Sequence, residues 1–171
     1  MICPSCCHKN LPGDEVCKHC KQPLTPFDLP QPENRVEQSV MCDQVKTLKQ
    51  KAPVTIHESA TVGETVAMML STNIGAVLIV DDAGLLTGIF SERDLLKKVV
   101  GVMTDYDNLP ITDFMTPRPE CVSTTDTLNF VLQKMDAGGY RHVPVLENGK
   151  PVSIISARDM LRFLMGLCKE L

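Results

Sequence analysis

The chain has 171 residues and a formal net charge of -4, with 43% hydrophobic and 22% charged residues. This length suits one ordinary domain with its own core, and the acidic balance argues against a general binder of nucleic acid. No apolar run is long enough to span a membrane, and Cys3 and Pro4 stand where a secretory signal would place its apolar core. We therefore expect a cytoplasmic protein.

Segment 1–24 carries two Cys-x-x-Cys pairs, formed by Cys3 with Cys6 and by Cys17 with Cys20. The segment is too short and too polar to bury a core, and four thiolates with this spacing can close a tetrahedral zinc site. The pattern predicts a structural Zn2+ held by these four cysteines. Because such a site has no open position, it predicts a metal without a catalytic role.

The same segment resembles the short zinc-ribbon modules of many prokaryotic proteins. Those modules usually carry glycine directly after each Cys-x-x-Cys pair, where this chain has Cys7 and Lys21. This departure leaves Cys7, His8 and His19 as alternative ligands. For the surface of the ribbon, we favour docking to a protein over contact with nucleic acid.

A linker and an entry helix, over 25–41, should connect the ribbon to the rest of the chain. Pro26, Pro30 and Pro32 favour a semi-extended connector. Apolar residues then recur at helical spacing over 35–51, which predicts a helix that stops before Pro53. The remaining cysteines, which lie among apolar neighbours, are expected to be buried thiols: Cys42, Cys121 and Cys168.

A β-α-β-β-α unit occurs twice after this helix. The first copy predicts strands over 53–56, 76–80 and 85–90, with helices over 62–71 and from Ser91 onward. The second copy predicts strands over 121–123, 141–146 and 151–155, with helices over 128–137 and 156–167. In both copies an apolar strand runs into a Ser-x-Arg-Asp sequence, at 91–94 and at 156–159. Since one unit alone cannot cover its sheet, we expect an α/β fold with the two units packed about a pseudo-twofold axis.

Three stretches together resemble a tandem pair of cystathionine-β-synthase-type (CBS) domains. They are 61–69, the Gly-x-x-Ser-x-Arg-Asp motif at 88–94, and Arg-His-Val-Pro-Val at 141–145. The resemblance implies one repeat over 42–108 and another over 109–171. It further implies two clefts between the repeats that bind adenosine-containing ligands, and a homodimer.

The Ser-x-x-Asp pattern also has a purely local explanation. Ser91 and Ser156 suit the N-cap of a helix, with Asp94 and Asp159 three residues later as the partners in a capping box. A cap explains both copies without any ligand, but the two roles do not exclude each other. A short carboxylate at a helix start can also accept hydrogen bonds from a ribose diol.

The resemblance assigns two sets of binding residues. In the cleft that we rank first, Asp159 holds the ribose, Ser156, Arg158 and Arg141 lie near phosphate, and small residues leave room for adenine. That set comprises Lys51, Val54, Gly75, Ala76, Arg141, Ile154, Ser156, Arg158 and Asp159. The other set comprises Ser91, Arg93, Asp94, Cys121 and Tyr140, where Tyr140 either stacks on a base or fills its space. Ser153 replaces the glycine found at Gly88 and is expected to narrow the approach to Asp159.

No nucleophile with an adjacent base, Walker-type loop or open metal motif is recognisable, so we expect a protein that is not an enzyme. The leading hypothesis is a regulatory protein that binds AMP, ADP or ATP between the repeats and signals through the zinc ribbon. The alternative is a constitutive CBS dimerisation scaffold that presents the ribbon without sensing a ligand. A different ligand class, such as S-adenosylmethionine, also stays open.

Overall fold

The computed structural model describes residues 3, 8–11, 13–24, 32–49, 51–102 and 105–169. After helix α1 (Arg35–Cys42), the first copy of the repeated unit contains three strands and two helical segments. They are β1 (Thr55–His57), α2 (Val62–Thr72), β2 (Ala76–Val80), β3 (Leu86–Ser91) and α3 (Glu92–Asp94), which continues as a π-helix over Leu95–Val99. We call this copy repeat 1.

Repeat 2 has the same order of elements. It contains β5 (Val122–Ser123), α4 (Leu128–Gly138), β6 (His142–Glu147), β7 (Lys150–Ser156) and α5 (Ala157–Cys168). In each repeat the first strand pairs in parallel with the second, and the second pairs antiparallel with the third. A short strand that the sequence did not predict, β4 (Thr116–Pro117), extends the sheet of repeat 1 by pairing with β3. The β-α-β-β-α order is thus confirmed in both copies.

The core of each repeat is completed by a short segment from outside that repeat. Val45 and Leu48 precede repeat 1 in the chain but are buried in the core of repeat 2. Ile111 and Phe114 lie between the repeats in sequence and are buried in the core of repeat 1. Because each core is completed by a segment adjoining the other repeat, separating the repeats would expose apolar surface. This packing holds the two repeats together.

The predicted entry helix is shorter than expected. Helix α1 ends at Cys42, because Asp43 adopts an extended conformation and donates its backbone N–H to Ser39 O. A separate 3-10 turn follows at Val45–Thr47. Its first backbone N–H donates to Asp126 O, so contacts with repeat 2 redirect the chain where helical spacing alone predicted continuation.

The expectation of three buried thiols is also corrected. Cys168 is exposed at the end of α5, and Cys42 is disulfide-bonded. Cys121 is a half-buried free thiol. Burial raises the pKa of the Cys121 thiol to about 11, with a contribution from the nearby charge of Glu120. An uncharged thiol of this kind is chemically quiet at neutral pH.

Candidate functional site

The larger of two clefts between the repeats lies at the start of α5. Its volume is about 600 Å3, within the range of small-molecule sites. All nine residues predicted for the Asp159 cleft line it: Lys51, Val54, Gly75, Ala76, Arg141, Ile154, Ser156, Arg158 and Asp159. The structure therefore brings together residues that are up to 108 positions apart, from Lys51 to Asp159. We call this space the Asp159 cleft.

Asp159 closes a capping box with Ser156 at the N-terminus of α5. Its Oδ2 accepts hydrogen bonds from Ser156 N at 3.0 Å and from Ser156 Oγ at 2.5 Å. Among the described residues, its Oδ1 accepts a long hydrogen bond from Arg162 Nη1 at 3.4 Å and lies 3.8 Å from Lys51 Nζ, and both of these side chains are largely exposed. Burial alone would raise the pKa of Asp159, but the bonds from Ser156 and the two cations lower it overall. The carboxylate is therefore ionised at neutral pH, with one oxygen available to a ligand.

Positive charge predominates around this carboxylate. Four basic side chains line the cleft, against the carboxylates of Asp159 and Glu92: Lys51, Arg141, Arg158 and Arg162. Within the described residues, the guanidinium groups of Arg141 and Arg158 have no hydrogen-bond or ion-pair partner. Unpaired guanidinium groups beside the N-terminus of a helix are suited to an anion such as phosphate.

His142 lines the Asp159 cleft next to Gly75 and also lines the smaller cleft between the repeats. A Cβ atom placed on Gly75 would lie 3.3 Å from His142 Cε1 and 3.4 Å from Glu92 Cδ. The side chains of His142 and Glu92 thus take up part of the space that the glycine leaves. Burial and the charge of Arg141 lower the pKa of His142, although Glu92 and Asp159 act in the opposite direction. The imidazole is consequently neutral at pH 7.

The second cleft lies at the start of α3 and has a volume of about 160 Å3. Of its predicted residues, Ser91, Arg93, Asp94 and Tyr140 line it. Cys121 does not; it lines a different, open depression together with Ser123 and Gly149. Its Sγ donates to Pro119 O at 3.0 Å. We call this smaller space the Asp94 cleft.

Sequence reasoning missed several residues that shape the clefts. Arg162 follows Asp159 by three positions on α5, and Lys98 follows Asp94 by four, so helical spacing could have identified both. Glu92 and Thr116 reach the clefts through the folding of distant segments, and no local signal marks them. Ser153 does not line the Asp159 cleft. Its hydroxyl is buried in β7 and has no hydrogen-bond partner within the described residues.

Three of the four predicted zinc ligands form a cluster at the N-terminus. The Sγ atoms of Cys3, Cys17 and Cys20 lie within 4.8 Å of one another, and those of Cys3 and Cys20 are 3.6 Å apart. Sulfur atoms around a tetrahedral Zn2+ have separations of about 3.8 Å, since each Zn–S bond is about 2.3 Å. Cys6 and the alternative ligand Cys7 lie outside the described residues. The donor set therefore fits a thiolate metal site at the three positions that are described.

The backbone around this cluster has the turn that the zinc-ribbon resemblance requires. Lys21 has a φ of 62°, the left-handed conformation for which glycine is usual. Its N–H donates to Cys17 O, and Asn10 donates its side-chain amide to Cys17 Sγ at 3.5 Å. Lysine thus adopts the glycine-like conformation at this position.

Over the described part of the chain, every helix is too short or too polar to cross a bilayer.

Comparison with known proteins identifies the family of the repeated unit. The model of the CBS domain matches residues 45–101 and 111–166. The CBS domain-containing protein CBSCBSPB5 of Arabidopsis thaliana is 32% identical over 117 residues, which cover 68% of this chain and 21% of that protein. The chain therefore spans about a fifth of the length of this relative.

Two solved structures with bound ligands have similar folds. The CBS domain protein PAE2072 from Pyrobaculum aerophilum, complexed with AMP, is 26% identical with a TM-score of 0.65, covering 74% of this chain and 98% of its own. The CBS domain pair of protein MJ0100, complexed with 5'-methylthioadenosine and S-adenosyl-L-methionine, is 26% identical with a TM-score of 0.65, covering 72% and 97%. The duplicated fold and these matches show that the chain belongs to the CBS domain family.

Proposed function

We propose that the chain is a regulatory protein that binds an adenosine-containing nucleotide, AMP, ADP or ATP, in the Asp159 cleft. The observation that carries this proposal is the carboxylate of Asp159, which keeps one oxygen available inside a cleft of about 600 Å3. That oxygen can accept hydrogen bonds from a ribose diol, while Oδ2 continues to cap α5. The proposed role is regulatory rather than catalytic.

The charge of the cleft favours a ligand with phosphate. The uncommitted guanidinium groups of Arg141 and Arg158 suit phosphate oxygens, and Ser156 lies beside them at the positive end of α5. A cationic sulfonium ligand would meet the same groups with unfavourable charge. AMP in the Pyrobaculum relative supports a phosphorylated nucleoside, whereas the MJ0100 complex supports S-adenosyl-L-methionine or methylthioadenosine as the alternative class.

The test is a thermal-shift and calorimetric comparison of AMP, ADP, ATP, 5'-methylthioadenosine and S-adenosyl-L-methionine. A compound at 100 times its Kd should stabilise the fold by about 2.7 kcal/mol. Arg158→Met should weaken binding of the phosphorylated compounds by about tenfold, as loss of a charged hydrogen bond costs about 1.4 kcal/mol or more. Lys97→Met removes an exposed charge outside both clefts and should leave affinity unchanged. If none of the five compounds binds, the proposal fails.

We further propose that Cys3, Cys6, Cys17 and Cys20 hold a structural Zn2+ and that the resulting ribbon docks to a partner protein. Support comes from the clustered thiols and from Asn10, which is buried beside Cys17. When bound, the metal would replace the missing apolar core of this small segment. Lys9, Lys18 and Lys21 are exposed on the same segment, but the chain as a whole is acidic, so nucleic acid is the less favoured partner.

Elemental analysis tests the metal. We expect one zinc per chain in the purified protein, and loss of that zinc in Cys17→Ser. Cys168→Ser alters an exposed thiol far along the sequence and serves as the matched control. Full zinc retention in Cys17→Ser would contradict the assignment.

Exposed apolar side chains favour a second proposal, that the chain forms a homodimer and acts as a scaffold. On α5, Leu161 and Met165 are 59% and 53% exposed and lie one turn apart on one face. On α2, Leu70 is 76% exposed. Light scattering should give twice the chain mass, and Leu161→Lys with Met165→Lys should give the monomer. A constitutive scaffold would dimerise equally with and without nucleotide.

A further inference from the structure

The carboxylate of Asp94 differs from that of Asp159 in having both oxygens fully engaged. Its Oδ2 accepts from Ser91 Oγ at 2.6 Å and from Ser91 N at 3.0 Å, as in the second repeat. Its Oδ1 accepts from Thr116 Oγ1 at 3.1 Å and pairs with Lys98 Nζ at 2.9 Å. The Asp94 side chain is 13% exposed, against 27% for Asp159. The oxygen that is available at Asp159 is therefore taken at Asp94.

Lys98 extends this network to the segment that joins the repeats. Its Nζ also donates to Phe114 O at 2.7 Å and to Met115 O at 3.2 Å. With Asp94 Oδ1, the ammonium group thus has three acceptors, the full number that a lysine can serve. The position that corresponds to Lys98 in repeat 2 is Phe163, which packs against the core. The cation is consequently a feature of repeat 1 alone.

Other side chains occupy the space of the Asp94 cleft. The ring of Tyr140 lies on Gly138, where an added Cβ would be 2.0 Å from a ring carbon. Arg93 donates to Gly139 O at 2.9 Å and so satisfies a carbonyl at the C-terminus of α4. The remaining volume of about 160 Å3 is below the 300 Å3 or so that is typical for small-molecule sites.

We infer that Asp94 is a structural tie between α3 and the inter-repeat segment, and that the chain binds a single nucleotide, in the Asp159 cleft. A ribose at Asp94 would have to displace Lys98 and Thr116 together and leave the ammonium group with an incomplete set of partners. Such a displaced charge is unfavourable in a partly buried site. The single-site stoichiometry rests on the proposed function, whereas the structural role of Asp94 does not require any ligand.

Isothermal titration of the full chain with AMP tests the inference, with ADP as a second probe. We expect one site per chain in the wild type and at least a tenfold loss of affinity in Asp159→Asn. We expect the Asp94→Asn variant to bind AMP with the wild-type stoichiometry and with affinity within twofold. Its melting temperature should nevertheless be lower, because Lys98 loses its carboxylate partner.

The outcomes separate this inference from the proposed function. Two sites per chain, with one site surviving in Asp159→Asn, would overturn the inference and leave nucleotide binding intact. Failure of AMP, ADP and ATP alike to bind would remove the proposed function and the stoichiometry with it. The Asp159→Asn result suffices even if Asp94→Asn does not fold, since a site that keeps wild-type affinity in Asp159→Asn must lie outside the Asp159 cleft. An unchanged melting temperature in Asp94→Asn would contradict the structural role directly.

Discussion

Repeat 1 and repeat 2 begin their last helices with the same capping box but surround the aspartate differently. In both, the serine N–H and hydroxyl bind one carboxylate oxygen. Around Asp94, the other oxygen meets Thr116 and Lys98, whereas around Asp159 it faces an open cleft. The comparison teaches that a local motif sets the cap and that distant segments decide whether the carboxylate can reach a ligand.

The largest expected effect concerns Gly88, which corresponds to Ser153 in repeat 2. A Cβ at Gly88 would lie 2.2 Å from Met115 Sδ, so Gly88→Ala must displace the Met115 side chain, which packs against the core of repeat 1. We expect the free energy of unfolding to fall by about 1–3 kcal/mol, as is usual for overpacking. Chemical denaturation measures this change. Gly166→Ala, in a helix with no atom near the added Cβ, should instead raise stability by about 0.5–1 kcal/mol.

Lys98→Met tests the structural role of Asp94 by removing the ammonium group that pairs with it. The substitution leaves Asp94 without its ion pair in a largely buried position, while the exposed part of Lys98 limits the loss through solvent screening. We expect a loss of about 1–2 kcal/mol in the free energy of unfolding. Lys97→Met, an exposed neighbour, should change stability by less than about 0.5 kcal/mol. Equal effects of the two substitutions would show that Lys98 has no special role.

Ser153→Ala should change the free energy of unfolding in the opposite direction, by stabilising the fold. The Ser153 hydroxyl is buried without a partner within the described residues, so the substitution removes an unsatisfied polar group and adds no volume. We expect a gain of about 1 kcal/mol in the free energy of unfolding. A loss of that size would show that the hydroxyl is hydrogen-bonded in solution. Together with Gly88→Ala, this variant compares the same position in the two repeats.

The order and type of the repeated elements could be predicted because the pattern is local. The apolar run at Ala76–Val80 and the Thr61 cap of α2 define their elements from nearby residues alone. The contacts of Val45 and Ile111 could not be predicted in the same way. Val45 precedes repeat 1 but is buried in the core of repeat 2, and Ile111 lies between the repeats but is buried in the core of repeat 1. Helical spacing contains no information about either placement.

The candidate site could likewise be predicted only in part from the sequence. The nine residues that the family resemblance assigned to the Asp159 cleft all line it, and their role in binding a ligand stays a prediction. Cys121 was assigned to the Asp94 cleft but lines a different depression, formed within repeat 2. The hydrogen bond that engages the second oxygen of Asp94 comes from Thr116 in β4, a strand of two residues that has no sequence signature.

The smallest expected effect is a pH dependence centred on His142. Because burial and Arg141 lower its pKa, the unfolded chain takes up a proton at higher pH than the folded chain. Stability should therefore fall as the pH drops below about 6.5, the ordinary value for histidine, and His142→Gln should flatten that dependence. Denaturation at pH 7.5 and 5.5 measures both. The groups facing the imidazole are Glu92, Asp159 and Arg141.

Bound nucleotide should reverse the pH dependence of stability that arises from His142. A phosphate beside His142 and Arg141 favours the imidazolium, so binding would raise the pKa of His142 and take up a proton. AMP should then stabilise the wild type more strongly at pH 6 than at pH 7.5, relative to His142→Gln, which also corrects for titration of the phosphate itself. 5'-Methylthioadenosine has no phosphate and should show no such difference between the two proteins. An equal response to both compounds would place the phosphate away from His142 and from the neighbouring guanidinium group of Arg141.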